Sequence, residues 1–136
     1  MKALLATCTF HFLLGIKGTA NERYCFLVVG DPQYLAEKSD SPKQLDPYSE
    51  QANAGALKLL KSFPGKMIPQ KHGGGTVSGN ILGLINTGDL IDSADKHGGH
   101  YPAMQKFEWE RYQADYGLTG KDGRIPFPVY EVHGNH

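Results

Sequence analysis

The chain is poor in the features that mark several large classes of protein. It holds only two cysteines in 136 residues, Cys8 and Cys25, too few for the disulfide framework that replaces a core in small secreted domains. Fourteen basic residues face fourteen acidic ones, and no block of five or more Lys or Arg occurs. That leaves no electrostatic footprint for nucleic acid or for an anionic membrane. The longest mostly apolar stretch, Ala3 to Ile16, falls short of the ~20 residues that a membrane span needs and is soon followed by polar Asn21-Glu22-Arg23. Repeats and low-complexity segments are also missing. What remains, with 40% hydrophobic residues, suffices for one buried core.

The first twenty residues stand apart from the rest. Met1-Lys2 gives a short positive start, Ala3 to Ile16 an apolar stretch, and Gly18 and Ala20 a small-x-small exit. Residues 1–20 therefore read as a secretory signal peptide, which implies a secreted or periplasmic protein. His11 and two threonines interrupt the apolar run, so a buried first strand or helix is the alternative reading. With the signal removed Cys25 alone is left, and it reads as a small buried hydrophobe.

Beyond the signal, strand patterns alternate with helix patterns. Tyr24 to Val29 (YCFLVV) is short and unbroken, as a buried strand should be. Ser49 to Ser62 reads as a helix with Ser49 as its cap and Ala52, Ala56, Leu59 and Leu60 near helical spacing. The Gly- and Pro-rich segment from Gly65 to Asn80 reads as a loop. Its Gly73-Gly74-Gly75 lacks the Lys-Ser/Thr ending of a phosphate-binding loop. Ile81 to Asn86 is a second strand. Tyr101 to Tyr116 is a second helix, with Pro102 suited to its first turn and Met104, Phe107, Trp109 and Tyr112 on a broad face. Val129 to Val132 is a third strand. This alternation predicts an α/β domain with a parallel sheet and helices on both of its faces. Ligands of such sheets bind beyond the carboxyl ends of the strands.

Each predicted strand runs into glycine and a side chain able to hold a metal. Gly30-Asp31-Pro32-Gln33 follows the first, Gly88-Asp89 the second, and Gly134-Asn135-His136 the third. Carboxylates at Asp31 and Asp89, amide oxygens at Gln33 and Asn135, and the His136 imidazole form an oxygen-rich set suited to Mn, Fe, Mg or Zn ions. The order GDPQ, GD, GNH resembles the calcineurin-like metallophosphoesterase family, whose signature is D-x-H, then G-D, then G-N-H-D/E.

The resemblance implies the N-terminal half of an αββα sandwich, with residues 21–136 forming a partial phosphoesterase domain. It implies that Asp31 and Gln33 hold one divalent cation, Asp89 bridges two, and Asn135 holds the second. His136 would contact the phosphate and stabilise the leaving oxygen. The implied reaction is hydrolysis of a phosphomonoester or phosphodiester by a water activated at the two-metal site. Gln33 stands where the common pattern has His, a mark of the family's D-P-Q branch. Family members continue past Gly-Asn-His with an acidic residue and a later Gly-His-x-His. The expectation is therefore a fragment of a longer enzyme, with weak metal binding and little activity of its own. Asp92 reads as a turn residue, and His97 and His100 as residues of a solvated loop. The long loop, Gly65 to Asn80, supports an alternative from another class, a non-catalytic binding protein on the same scaffold.

Overall fold

The computed structural model describes residues 23–134. The signal-peptide reading of residues 1–20, and the roles expected of Asn135 and His136, lie outside the described residues.

Three parallel strands form one sheet in the order β1-β2-β3. They are β1 (Tyr24–Val29), β2 (Asn80–Asn86) and β3 (Val129–Glu131), with α1 (Pro47–Ser62) in the first crossover and α2 (Tyr101–Tyr116) in the second. Val29 pairs with Asn86, which pairs with Glu131, so all three strands end level. An α/β fold with a parallel sheet is therefore present, as expected. Among the described residues no helix is long and apolar enough to cross a membrane.

The expectation of helices on both faces fails, and the strand order explains why. When consecutive parallel strands are neighbours and every crossover is right-handed, successive helices land on the same side. Leu27, Val29, Leu84 and Val129 accordingly share one core with Leu57 and Leu60 of α1 and Tyr112 and Tyr116 of α2. Phe26, Val28 and Ile85 alternate to the opposite face and are only partly buried. Tyr130 is 52% exposed there. Its ring leans over Gly83 to meet the edge of Phe26, with centroids 6.1 Å apart. A Cβ on Gly83 would fall 2.5 Å from that ring, so only glycine permits the contact.

The first helix begins two residues earlier than its sequence pattern suggests. Asp46, not Ser49, is the cap, accepting from the amides of Tyr48 and Ser49 ahead of Pro47 in the first turn. Its buried face is Ser49, Asn53, Leu57 and Leu60, whereas Ala52 and Leu59 face solvent. The second helix has the expected bounds but buries Met104, Glu108, Tyr112, Asp115 and Tyr116. In both helices polar residues occupy the apolar stripe, and Ser49, Glu108 and Asp115 among them bond to the loops at the carboxyl edge of the sheet.

Candidate metal centre

Asp31, Gln33 and Asp89 emerge on adjoining loops at the carboxyl ends of β1 and β2. The loops continue the pairing of their strands. Thr87 N–H donates to Val29 O (3.0 Å), Gln33 N–H to Asp89 O (3.0 Å) and Tyr34 N–H to Leu90 O (3.1 Å). Tyr34 and Ile91 form a parallel bridge. The main chains bearing the two aspartates and Gln33 are thus tied together directly.

Among the described residues, only three non-glycine residues have positive φ, and they are Asp31 (50°), Gln33 (39°) and Asp89 (48°). A side chain in this region costs about 1–2 kcal/mol, less for Asp than for Gln. Such strain persists only where surrounding structure enforces it, and it gathers at functional sites. At β2 the enforcement is local. The Asn86 side chain accepts from Gly88 N–H (3.2 Å), and Gly88 turns at φ 114° to deliver Asp89.

The third strand's end reaches the same place. Val132 N–H donates to Asn86 O (3.1 Å). A Cβ on Gly134 would lie 1.8 Å from Asp89 Oδ1 and 2.2 Å from its amide nitrogen. A Cβ on Gly88 would lie 2.5 Å from the Gly134 main chain. The two glycines therefore pack back to back, and no other residue fits at either position. Residues from all three strand-end motifs meet within contact distance of Asp89.

Three polar side chains, Glu108, Asp115 and Ser49, hold the β1 loop from behind, and none of these contacts was expected from the sequence. Glu108 of α2 is fully buried. Its Oε1 accepts from Ala36 N–H (2.9 Å) and Ser93 Oγ (2.9 Å), and its Oε2 from Ser93 N–H (3.1 Å). Asp115 accepts from the Tyr34 hydroxyl (2.8 Å) and from Arg124 (2.9 Å). Ser49 of α1 accepts from Leu35 N–H (3.0 Å), and Asn53 bonds to the Ser49 carbonyl (3.0 Å). Burial first, then the charge of Asp115, pushes the Tyr34 phenol well above its ordinary range. The available signal was an acidic residue on an apolar helical stripe, which a folded protein tolerates only with partners.

Asp89 is 8% exposed, while Asp31 and Gln33 are exposed. The ion pairs among the described residues, Lys96–Asp92, His100–Asp40, Lys106–Glu110 and Arg124–Asp115, do not include Asp31. Asp92 behaves as a turn residue, its amide donating to Tyr34 O (2.9 Å). Its carboxylate raises the pKa of Lys96, chiefly through their hydrogen bond. His100 ties the front of α2 to Asp40, and His97 is exposed.

A shallow pocket of about 190 Å³ opens beside Asp89. Leu90, Ile91, Trp109, Val132, His133 and Gly134 also line it, so His133 acquires a position that its sequence did not suggest. Compared with family models, curated proteins and solved structures, the chain matches none.

Among the described residues no three His, Cys, Asp or Glu side chains gather as a ligand set. The donors present are two carboxylates and the Gln33 amide oxygen, a hard set that fits Mg, Mn or Fe ions better than softer, nitrogen-rich sites do. Two strained carboxylates on directly bonded loops, Asp31 exposed and Asp89 largely buried, fit a divalent cation.

Proposed function

We propose that the protein is a metal-dependent phosphoesterase of the calcineurin-like kind, acting on phosphomonoesters or phosphodiesters. The observation that carries this reading is the coincidence of two independent selections. Among the described residues, those drawn from the strand-end motifs, Asp31, Gln33 and Asp89, are also the three non-glycine residues held at positive φ. Helix capping alone would not require that strain, because an N-cap adopts ordinary extended dihedrals.

Asp31 and Gln33 would hold one divalent cation, with Asp89 shared between two and Asn135 serving the second. When bound, the pair would supply positive charge to a phosphoryl group and acidify a water. The chain's own contribution is placement. The Gln33–Asp89 main-chain bond sets the spacing of the donors, and the Gly88–Gly134 contact lets the third motif approach Asp89 without a side chain intervening. His136 would donate a proton or hydrogen bond to the leaving oxygen. The finer architecture belongs to the same reading. In an αββα sandwich a second sheet would cover the apolar face formed by Phe26, Val28, Ile85 and Tyr130, the face that neither helix covers. A secreted or periplasmic location follows from the signal-peptide reading of residues 1–20.

The test is Mn²⁺ binding by calorimetry, together with hydrolysis of chromogenic phosphomonoesters and phosphodiesters with Mn²⁺ or with chelator. Saturable binding that Asp31→Asn and Asp89→Asn each weaken at least tenfold is the expected result, with any hydrolysis abolished by chelator. A folded protein that binds no divalent cation would overturn the proposal and favour a binding protein on this scaffold.

A further inference from the structure

We infer that Trp109 is a stacking surface for a single planar ring carried by the phosphoester, so that the site prefers aryl to alkyl substrates. This rests on the phosphoesterase reading for the placement of the phosphoryl group. Trp109 is the chain's only tryptophan, and it is 37% exposed on α2. One face of the indole lies on Tyr112 at 5.6 Å and 26°. Tyr112 lies in turn on Tyr116 at 4.9 Å and 18°. The Tyr34 ring meets the edges of both, at 5.8 and 6.3 Å. Three fully buried rings therefore fix the orientation of the exposed one. A ring held this way loses little freedom when a ligand stacks on it.

The indole borders the same pocket as Asp89, whose other walls include the aliphatic side chains of Leu90, Ile91 and Val132. A pocket lined by an indole, aliphatic residues and the Asp89 carboxylate suits a molecule that joins a planar ring to a phosphoryl group. Its volume of about 190 Å³ is below the ~300–1,000 Å³ typical of drug-sized ligands. It holds one ring rather than a fused system with a sugar. The hollow on the indole's other border, about 340 Å³, carries Asp122 and Glu131. Asp122 is kept ionised down to a pKa of about 2, chiefly by its bond from the Thr119 amide. Carboxylates repel a phosphoester, and none of the residues proposed to hold a cation lines that hollow, which leaves the Asp89 side as the ring's place.

Being single, Trp109 also reports on its own occupancy. Phenylphosphonate and methylphosphonate, neither of them hydrolysable, are titrated into the protein with Mg²⁺ or with chelator, following tryptophan emission and heat. Phenylphosphonate is expected to perturb the emission saturably and to bind about tenfold tighter than methylphosphonate, a difference of the size that aromatic stacking gives. Trp109→Leu should erase the preference in calorimetry, and Trp109→Phe should keep most of it. Equal affinities in the unmodified protein, or a preference that survives Trp109→Leu, would overturn the inference without recourse to any variant that misfolds. A Trp109-dependent preference indifferent to chelator would uphold the ring site and count against the metal-dependent reading. Equal, chelator-sensitive binding of both phosphonates would do the reverse.

Discussion

Glu108 offers the sharpest perturbation, because its role is purely one of holding. It is fully buried, it enters none of the ion pairs among the described residues, and three donors from two different loops converge on it. Glu108→Gln keeps the shape and one acceptor oxygen. That oxygen can still receive Ala36 N–H and Ser93 Oγ, but the new NH₂ group faces Ser93 N–H. One buried amide then lacks an acceptor, at a cost of ~1–3 kcal/mol. The two surviving bonds lose their charge assistance, which roughly halves each. Relief from burying a carboxylate offsets part of the loss. The expected net destabilisation is about 2 kcal/mol for Gln and about 3–5 kcal/mol for Ala, which also leaves a cavity. Urea unfolding should show the Gln midpoint lower by about 1–2 M with unchanged slope. Exposed Glu110, paired with Lys106 at only 3.9 Å, is the control, and Glu110→Gln should stay within ~0.5 kcal/mol. If Glu108→Gln were equally silent, the two loops would have to be held by something other than this carboxylate.

Three further outcomes follow from the geometry. Gln33→Gly should stabilise the protein by about 1 kcal/mol by removing the side chain from positive φ, and a lower melting temperature would refute the strain argument. Gly134→Ala would drive a methyl into Asp89. A loss of Mn²⁺ affinity of tenfold or more with the far-ultraviolet spectrum retained is expected, and unchanged affinity would separate β3 from the site. The third concerns alkaline pH. Burial raises the phenols of Tyr34 and Tyr112, with Asp115 the next cause for the first and Glu131 for the second. A phenol raised in the folded state contributes stability that is complete below its unfolded value of ~10 and lost as pH climbs above it. Stability should therefore fall above about pH 10 by ~1.4 kcal/mol per pH unit per tyrosine, and Tyr34→Phe should flatten the decline. An unaltered slope in that variant would show that Tyr34 does not titrate between the two states.

The parts of this fold that were legible in the sequence are those governed by local pattern. YCFLVV and the Tyr101 to Tyr116 segment have their bounds written in apolar continuity and in Pro102, and the structure keeps them. The side on which the helices pack was not legible, because it depends on strand order, which no local pattern records. Helix faces are hidden for a related reason. Periodicity counts apolar residues, so it points to Ala52 and Leu59 rather than to Ser49 and Asn53, whose polar atoms are drawn inward to bond with Leu35 and with each other. For the site, Asp31, Gln33 and Asp89 could be singled out by their positions after strands. Glu108 and Asp115 could not, because their partners on the β1 loop lie 72 and 81 positions away at Ala36 and Tyr34.

These buried polar residues also bear on why the strained loops persist. Three residues at positive φ cost a few kcal/mol together, and a free loop would relax them. Here the β1 loop is bonded to the β2 loop through Gln33 and Tyr34, to α1 through Ser49, and to α2 through Glu108 and Asp115. Bonds to charged acceptors contribute ~1.5–3 kcal/mol each, so the straps match the strain in size. Well-packed apolar residues in place of Glu108 or Asp115 could give equal or greater stability. They could not hold the main chains of Ala36 and Ser93, or the Tyr34 hydroxyl, in position. The polar straps are concentrated at the carboxyl edge of the sheet, while Leu27, Leu57, Leu60 and Leu84 fill the interior behind it. Stability alone does not require that distribution. A requirement to keep Asp31, Gln33 and Asp89 fixed relative to one another does.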